Sequence, residues 1–362
     1  MLLKLAPTTE QHQALLETMH TFNQAANYVA QVAAARHSAN KFELQKLVYG
    51  ELRTTYKLPA QLAIRCISKA SEAYKRDKSI QPHFRPEGAI VYDPRVMALK
   101  GSDTVSLLTL AGRVLVPFLF GEYQQARMGA IKGQADLIYR KGIFYLAVTL
   151  EMLPSAPQDT SDTLGIDLGI VNLATDSTGE TFSGEAVERN RKRHHALRQR
   201  LQKRGTKSAK RHLKKLSGKE ARFKRNTNHV ISKRIVAKAK SSRQALAIEE
   251  LRHIRKRTDR TVRYSQRSRH SSWAFGQLRF FLQYKAALAG IPLHTVDPRN
   301  TSKTCHVCGH CAKENRKSQA SFVCQQCGYA DNADRNAALN ISRASVMMPI
   351  ASGRAQVQAP AL

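Results

Sequence analysis

The sequence predicts a multidomain α+β protein. An N-terminal β-barrel with a helical insert is followed by an α/β core that carries a compact metal knuckle. Three observations predict it. The apolar period changes from helical to strand-like near Ile80, and a polar Pro/Ser/Asp stretch, 154–163, reads as a linker between two halves. Two Cys-x2-Cys pairs near the C-terminus have the spacing of metal ligands.

In the first half, Thr8 and Thr9 are helix-start candidates. Leu15, Met19, Phe22, Ala26, Val29 and Val32 then recur at helical spacing. Phe42, Leu44, Leu47, Val48 and Leu52 mark a second helix. Pro59 opens a third, with Leu62, Cys66, Ala70 and Ala73 on one face, where Cys66 reads as a small core residue. Residues 10–77 are therefore expected as a small helical bundle. Short β-prone runs at 89–92, 105–110 and 113–118 follow. The runs 135–139 and 143–151 flank Arg140-Lys141-Gly142, a hairpin signal. Residues 1–9 and 78–155 are expected to form a small β-barrel or open sheet interrupted by those helices, with 156–163 as the linker proper.

The bulk charge narrows the partner. The chain has 362 residues, 59 Lys+Arg against 27 Asp+Glu and a formal net charge of +32. So large an excess fits a polyanion, because neutralising phosphates releases counterions and yields affinity without reading sequence. An anionic membrane is the competing partner. No run of about eighteen apolar residues and no signal-peptide pattern exists, so a cytoplasmic, bacterial location and no membrane partner are expected. Six cysteines in such a chain read as metal ligands or bystanders, not as a disulfide framework.

The stretch Leu164-Gly165-Ile166-Asp167-Leu168-Gly169 is a buried strand carrying an acid. An ionised carboxylate in a core is costly unless a cation or hydrogen bonds offset it. Two readings stand open on this stretch alone. Asp167 caps the strand-to-turn step, or it is a metal-binding carboxylate on the first strand of an RNase H-like nuclease core. Residues 188–240 form the most basic part, with Arg191-Lys192-Arg193, Lys203-Arg204, Lys214-Lys215 and Lys224-Arg225. They are expected as a helical hairpin on RNA or a hybrid duplex, broken at Gly205 and Gly218.

A second apolar strand, 244–248, ends in Glu249-Glu250, and Glu249 is expected to face inward while Glu250 alternates away. A basic loop, 252–269, precedes an aromatic-rich helix containing Trp273, Phe275, Leu278, Phe281, Leu282 and Tyr284. Gly290 ends that helix, and 291–296 is a further strand. Cys305, Cys308, Cys324 and Cys327 then supply four thiolates for one closed structural Zn²⁺ site, with Cys311 and His306 as spectators. A last helix carries Ala337, Ala338 and Ile341. Asp331 reads as its cap, and Asp334 as a third carboxylate. The tail, 347–362, is small, polar and expected to be disordered.

Taken together these motifs resemble the TnpB family, the OrfB proteins of insertion sequences, which are similar to the ancestors of type V CRISPR effectors. The resemblance rests on Gly165-Ile166-Asp167-Leu168-Gly169, Ile248-Glu249-Glu250-Leu251, Asp297-Pro298-Arg299-Asn300-Thr301-Ser302-Lys303-Thr304-Cys305, the paired Cys-x2-Cys and Asp334-Arg335-Asn336-Ala337-Ala338-Leu339-Asn340-Ile341. One departure is Glu250, where the family more often has Asp.

The resemblance implies an RNA-guided DNA endonuclease with a helical recognition insert at 10–77 in a wedge-like barrel of 1–9 and 78–155, an RNase H-like (RuvC) core at 164–301, a zinc ribbon at 302–330 and a closing helix at 331–346. Its catalytic acids fall on Asp167, Glu249 and Asp334, which would hold two Mg²⁺ ions, with Asp167 the bridge. The implied partners are a transposon-encoded guide RNA and double-stranded target DNA bearing a short flanking motif; nothing in the chain speaks to oligomeric state. No HNH-like segment lies between Asp167 and Glu249. The rival readings are an RNA-guided repressor or a transposition accessory protein that binds without cutting.

Overall fold

The computed structural model describes residues 1–250, 274–318 and 320–347. The basic loop 252–269, Leu251, Trp273 and the tail from 348 lie outside the described residues. The chain divides into two units, Met1–Met152 and Leu153–Leu362.

The first unit is a curled antiparallel sheet with three long helices and one short one. Its strands are β1 (Leu2–Leu5), β2 (Ile90–Tyr92), β3 (Met97–Lys100), β4 (Thr104–Thr109), β5 (Gly112–Leu119), β6 (Ile131–Arg140) and β7 (Ile143–Leu150), in the order β2-β6-β7-β1-β5-β4-β3. The two edge strands, β2 and β3, are consecutive in the chain, with only 93–96 between them. The sheet must therefore curl until its edges nearly meet, and the Tyr92 hydroxyl donates to Leu108 O of β4 at 2.9 Å.

Lys141 and Gly142 both adopt positive φ (54° and 79°), the geometry a two-residue hairpin between twisted strands requires. The helices α1 (Thr9–Ala35), α2 (Lys41–Thr54) and α3 (Ala60–Arg76) share one core with this sheet. Thr8 caps α1 in a reciprocal box with Gln11. Cys66 is fully buried. Strands β1 and β3 are too short to show a period in the sequence.

In the second unit a five-stranded sheet runs β10-β9-β8-β11-β12. Its strands are β8 (Asp162–Asp167), β9 (Asn172–Asp176), β10 (Thr181–Ser183), β11 (Gln244–Glu249) and β12 (Leu293–Val296). The first three pair antiparallel, while β8, β11 and β12 pair parallel. Such a mixed sheet needs crossovers, and the chain supplies them with helices. These are α5 (Glu185–Arg204) and α6 (Lys207–Ser241) before β11, and α7 (Phe275–Ala289) before β12; α8 (Ala333–Met347) follows the last strand of this sheet, and a short α4 (Glu122–Gln125) belongs to the first unit.

Leu164, Ile166, Leu246 and Ile248 pack with Ile231, Ile235, Leu278 and Leu282 of α6 and α7. The alternate residues face α8, and Ala247 packs with Ile341. Gly165 lies directly under α8: a Cβ there would stand 2.0 Å from Ala338 O. With both faces covered, β8 and β11 read as apolar runs.

The expected break at Gly205 is real, with φ 64° at the end of α5. The expected break at Gly218 is not: α6 runs unbroken through it. An interior glycine costs only about 1 kcal/mol relative to alanine, and a long helix absorbs that. Asp331 does not cap α8. It lies in β14 (Ala330–Asn332), which pairs with β13 (Ser321–Val323), and it accepts the Tyr329 hydroxyl at 2.5 Å. The Asn332 side chain makes the cap, accepting from Asp334 N and Arg335 N.

Candidate active site

The pairing register decides where the acids fall. β8 and β11 pair Gly165 with Ala247 and Ile166 with Ile248. Each strand then has one residue left, Asp167 and Glu249. By the period of two, both lie on the α8 face, like Gly165 and Ala247. The small residues there let α8 come close, and its first turn carries Asp334. Glu249 is 8% and Asp334 4% exposed. Glu250 turns the other way and makes a two-pronged pair with Arg279 of α7.

Each acid but the first has a dedicated side-chain hydrogen-bond partner. Thr301 donates to Glu249 Oε1 at 2.5 Å, and Asn172 Nδ2 to Asp334 Oδ2 at 2.9 Å. Arg316 Nη2 lies 3.3 Å from Asp334 Oδ1. The chain around these groups is laced to α8. Asn336 Nδ2 donates to Thr304 O (2.9 Å), and Asn340 Nδ2 to Thr301 O (2.8 Å) and Thr304 O (2.7 Å).

Asp167 is pushed up to about 8, first by burial, then by the charges of Glu249 and Asp334, against the pull of Arg316. Glu249 is also raised, by burial, with Thr301 and Arg316 opposing. The acids therefore feel one another. They do not form a tight cage: among the described residues the only group whose ligand atoms all lie within 4.8 Å of one another is the cysteine cluster. Like-charged carboxylates spread apart, and Arg316 is the cation that offsets their charge, pairing with Asp334 and acting on both Asp167 and Glu249. The donor set is all oxygen and short of positive charge, which suits a hard divalent cation.

The four cysteines fit their metal more tightly. Sulfurs at about 2.3 Å from one tetrahedral ion stand roughly 3.8 Å apart. Here Cys305–Cys327 and Cys308–Cys324 are 3.7 and 3.5 Å apart, and none is in a disulfide. Gly309 and Gly328 take positive φ just past each pair and close the two turns on Cys305 O and Cys324 O. Phe322 and Ala333 give the ribbon a small core. Cys311 is exposed, and neither it nor His306 belongs to the cluster.

Asn172, Thr301 and Arg316 were not singled out by sequence reasoning as site residues. Asn172 and Thr301 lie inside or beside motifs already noted. Arg316 sits between the cysteine pairs with no local signal, because only the folding of the ribbon onto α8 brings it to the acids.

Family comparison bears on the same residues. Residues 146–263 match the OrfB_IS605 family, described as "Probable transposase", and 275–341 match "Cas12f1-like, TNB domain". In these two stretches the chain is similar to those families. The chain is 31% identical over 251 residues to the CRISPR-associated endodeoxyribonuclease Cas12f1 of Sulfoacidibacillus thermotolerans, covering 64% of this chain and 56% of that one. It is 26% identical over 361 residues to InsQ of Escherichia coli (strain K12), whose name gives it provisionally as an RNA-guided DNA endonuclease, covering 89% and 87%. The TnpB-like protein MJ0751 of Methanocaldococcus jannaschii is 31% identical over 133 residues, covering 37% of this chain and 47% of that one. The chain thus spans about half the length of two of these three relatives.

Proposed function

We propose that this chain is an RNA-guided DNA endonuclease of an insertion sequence, with one RNase H-like (RuvC) centre formed by Asp167, Glu249 and Asp334. The observation that carries it is the register of β8 and β11, which ends both strands in an acid on the face that α8 covers with a third. An acid at the end of a parallel strand, in the crevice outside the sheet, is where such folds hold ligands. The names of Cas12f1 and InsQ support the substrate class. In this reading 164–301 and 331–346 are the nuclease core, 302–330 the ribbon, 10–77 the recognition insert and 1–9 with 78–155 the barrel.

Asp167, Glu249 and Asp334 would hold two Mg²⁺ ions, which when bound supply an activated water and stabilise the leaving oxygen of a phosphodiester. The chain's own part is placement and charge. Thr301 and Asn172 hold the Glu249 and Asp334 carboxylates in single orientations. Arg316, within reach of Asp334, can transfer its fork to a phosphate oxygen that arrives between the acids. Cys305, Cys308, Cys324 and Cys327 would hold one Zn²⁺, whose work is to fold the segment that carries Arg316. The surplus of positive charge serves the phosphate backbones of a guide RNA and a double-stranded target, whose sequence base pairing reads while the protein reads a short flanking motif. One nuclease centre cuts the two strands in turn.

The test is Asp167→Ala in protein purified with its RNA and given a plasmid library. Loss of guide-programmed breaks with guide-dependent DNA binding retained is expected; unchanged breaks overturn the site. Binding without breaks by the unaltered protein would make it an RNA-guided repressor instead.

A further inference from the structure

The arm α5–α6 contains a cavity that the nuclease reading does not use. The two helices run antiparallel from the turn at Gly205, zipped by Leu201, Ala209 and Leu216 with Leu197 and Leu213. Beyond Leu201 the seam opens into a cavity of about 340 Å³. Arg193, His194 and Leu197 of α5 and His212, Lys215, Leu216 and Lys219 of α6 line it. On α6 these positions recur every three or four residues, so one helix face supplies them all.

Three properties of the cavity point to one ligand chemistry. Leu216 is buried and Leu197 partly so, whereas Arg193, Lys215 and Lys219 are exposed, so the apolar groups lie deepest and the cations form the rim. Among the described residues no carboxylate lines it, and the nearest acids along these helices are already engaged: Glu188 with Arg191, and Glu220 with Arg198 and Lys224. The His194 ring forms part of the wall, with its Nδ1 buried out of reach of the cavity. An apolar floor, a flat aromatic wall and a cationic rim call for a flat heteroaromatic group joined to a phosphate. The volume lies within the range of small-ligand pockets, roughly 300–1,000 Å³. A bare phosphate would meet the rim and leave the floor and His194 untouched.

We infer that the α5–α6 seam is a nucleotide pocket that takes one unstacked nucleotide of a single-stranded nucleic acid. Its base lies over Leu197 and Leu216 against the His194 ring, and its phosphate lies on Arg193, Lys215 and Lys219. Single strands are recognised by splayed bases of this kind, with backbone charge met alongside. The inference rests on the nucleic-acid part of the proposed function but not on cleavage.

The test uses the full zinc-loaded chain at low salt, titrated calorimetrically with adenosine 5′-monophosphate, ribose 5-phosphate and inorganic phosphate. Adenosine monophosphate is expected to bind at least about tenfold tighter than ribose 5-phosphate, the difference that about 1.4 kcal/mol makes. His194→Ala, which removes the wall, and separately Leu197→Trp, which fills the seam, should remove that excess and spare ribose 5-phosphate binding. Lys215→Gln with Lys219→Gln should weaken both. Circular dichroism confirms that each variant keeps its helices. Photocrosslinking with 8-azidoadenosine monophosphate should label peptides within 193–219. Equal affinity for the two sugar phosphates, or labelling elsewhere, overturns the pocket. Neither result touches the nuclease reading, whose assay is cleavage, and loss of cleavage in Asp167→Ala leaves this titration unchanged.

Discussion

Arg316 Nη2 stands 3.3 Å from Asp334 Oδ1, although the arginine belongs to the cysteine ribbon and the acid to the first turn of α8. The contact joins the cysteine ribbon to the candidate nuclease centre. Arg316 is also a cation that lowers the proton affinity of Asp167 and of Glu249. It therefore balances charge among acids that repel one another.

Removing that cation should cost activity more than binding. Arg316→Ala is expected to slow single-turnover cleavage about 10²-fold or more, the usual effect of losing one charge-stabilising donor. Guide-dependent DNA binding should stay within a few fold. Arg316→Lys should recover only part, since an ammonium cannot make the forked contact. A cleavage rate that does not change would leave Arg316 a structural pin.

The raised pKa of Asp167 carries a pH dependence. Its folded value, about 8, exceeds an ordinary carboxyl value of about 3.9. Folding thus favours the protonated acid. Its stabilising contribution is whole below about pH 4 and is lost as pH rises through about 8. Asp167→Asn imitates the neutral acid. In zinc-loaded protein without Mg²⁺, it should raise Tm by roughly 5 °C at pH 8.5 and change it little at pH 4.5. Thermal scans at the two pH values decide it, and equal shifts at both would refute the linkage.

Gly165 sets how close α8 can lie. A Cβ there would meet Ala338 O at 2.0 Å and Ser342 N at 2.6 Å, both backbone atoms that cannot swing aside. Gly165→Ala should lower stability by about 3 kcal/mol in urea unfolding. It should also lower cleavage in whatever protein folds, because α8 carries Asp334. Gly50, with nothing near its Cβ position, is the control, and Gly50→Ala should be neutral or slightly stabilising.

The ribbon should be inseparable from the metal. Cys308→Ser is expected to reduce bound zinc from one ion per chain to a small fraction, measured by elemental analysis, and to lower cleavage as far as Arg316→Ala does. Cys311→Ser should change neither, because Cys311 is outside the cluster. Equal zinc loss in the two variants would reassign the ligands.

Much of this was legible in local pattern. The cysteine spacing, the helical periods of α1, α2 and α3 and the Lys141-Gly142 turn each arise from interactions within a few residues. The inward choice of Glu249 over Glu250 comes from the period of a strand. Gly218 misled because a helix of this length tolerates a glycine, and Asp331 because the neighbouring Asn332 competes for the same cap. The short strands β1, β3, β9 and β10 had too few residues to show a period.

The sequence by itself determined which side chains can do chemistry: three acids beside apolar runs, four thiols, and a cationic excess that calls for phosphate. Tertiary structure alone decided how they are arranged. Parallel register brings Asp167 level with Glu249 across residues 168–248, and two glycine- and alanine-lined faces let α8 set Asp334 above them. Arg316, Thr301 and Asn172 reach the acids from three separate segments. Contacts of such sequence separation leave no periodic trace, because they depend on how faces stack and not on the order of neighbours along the chain.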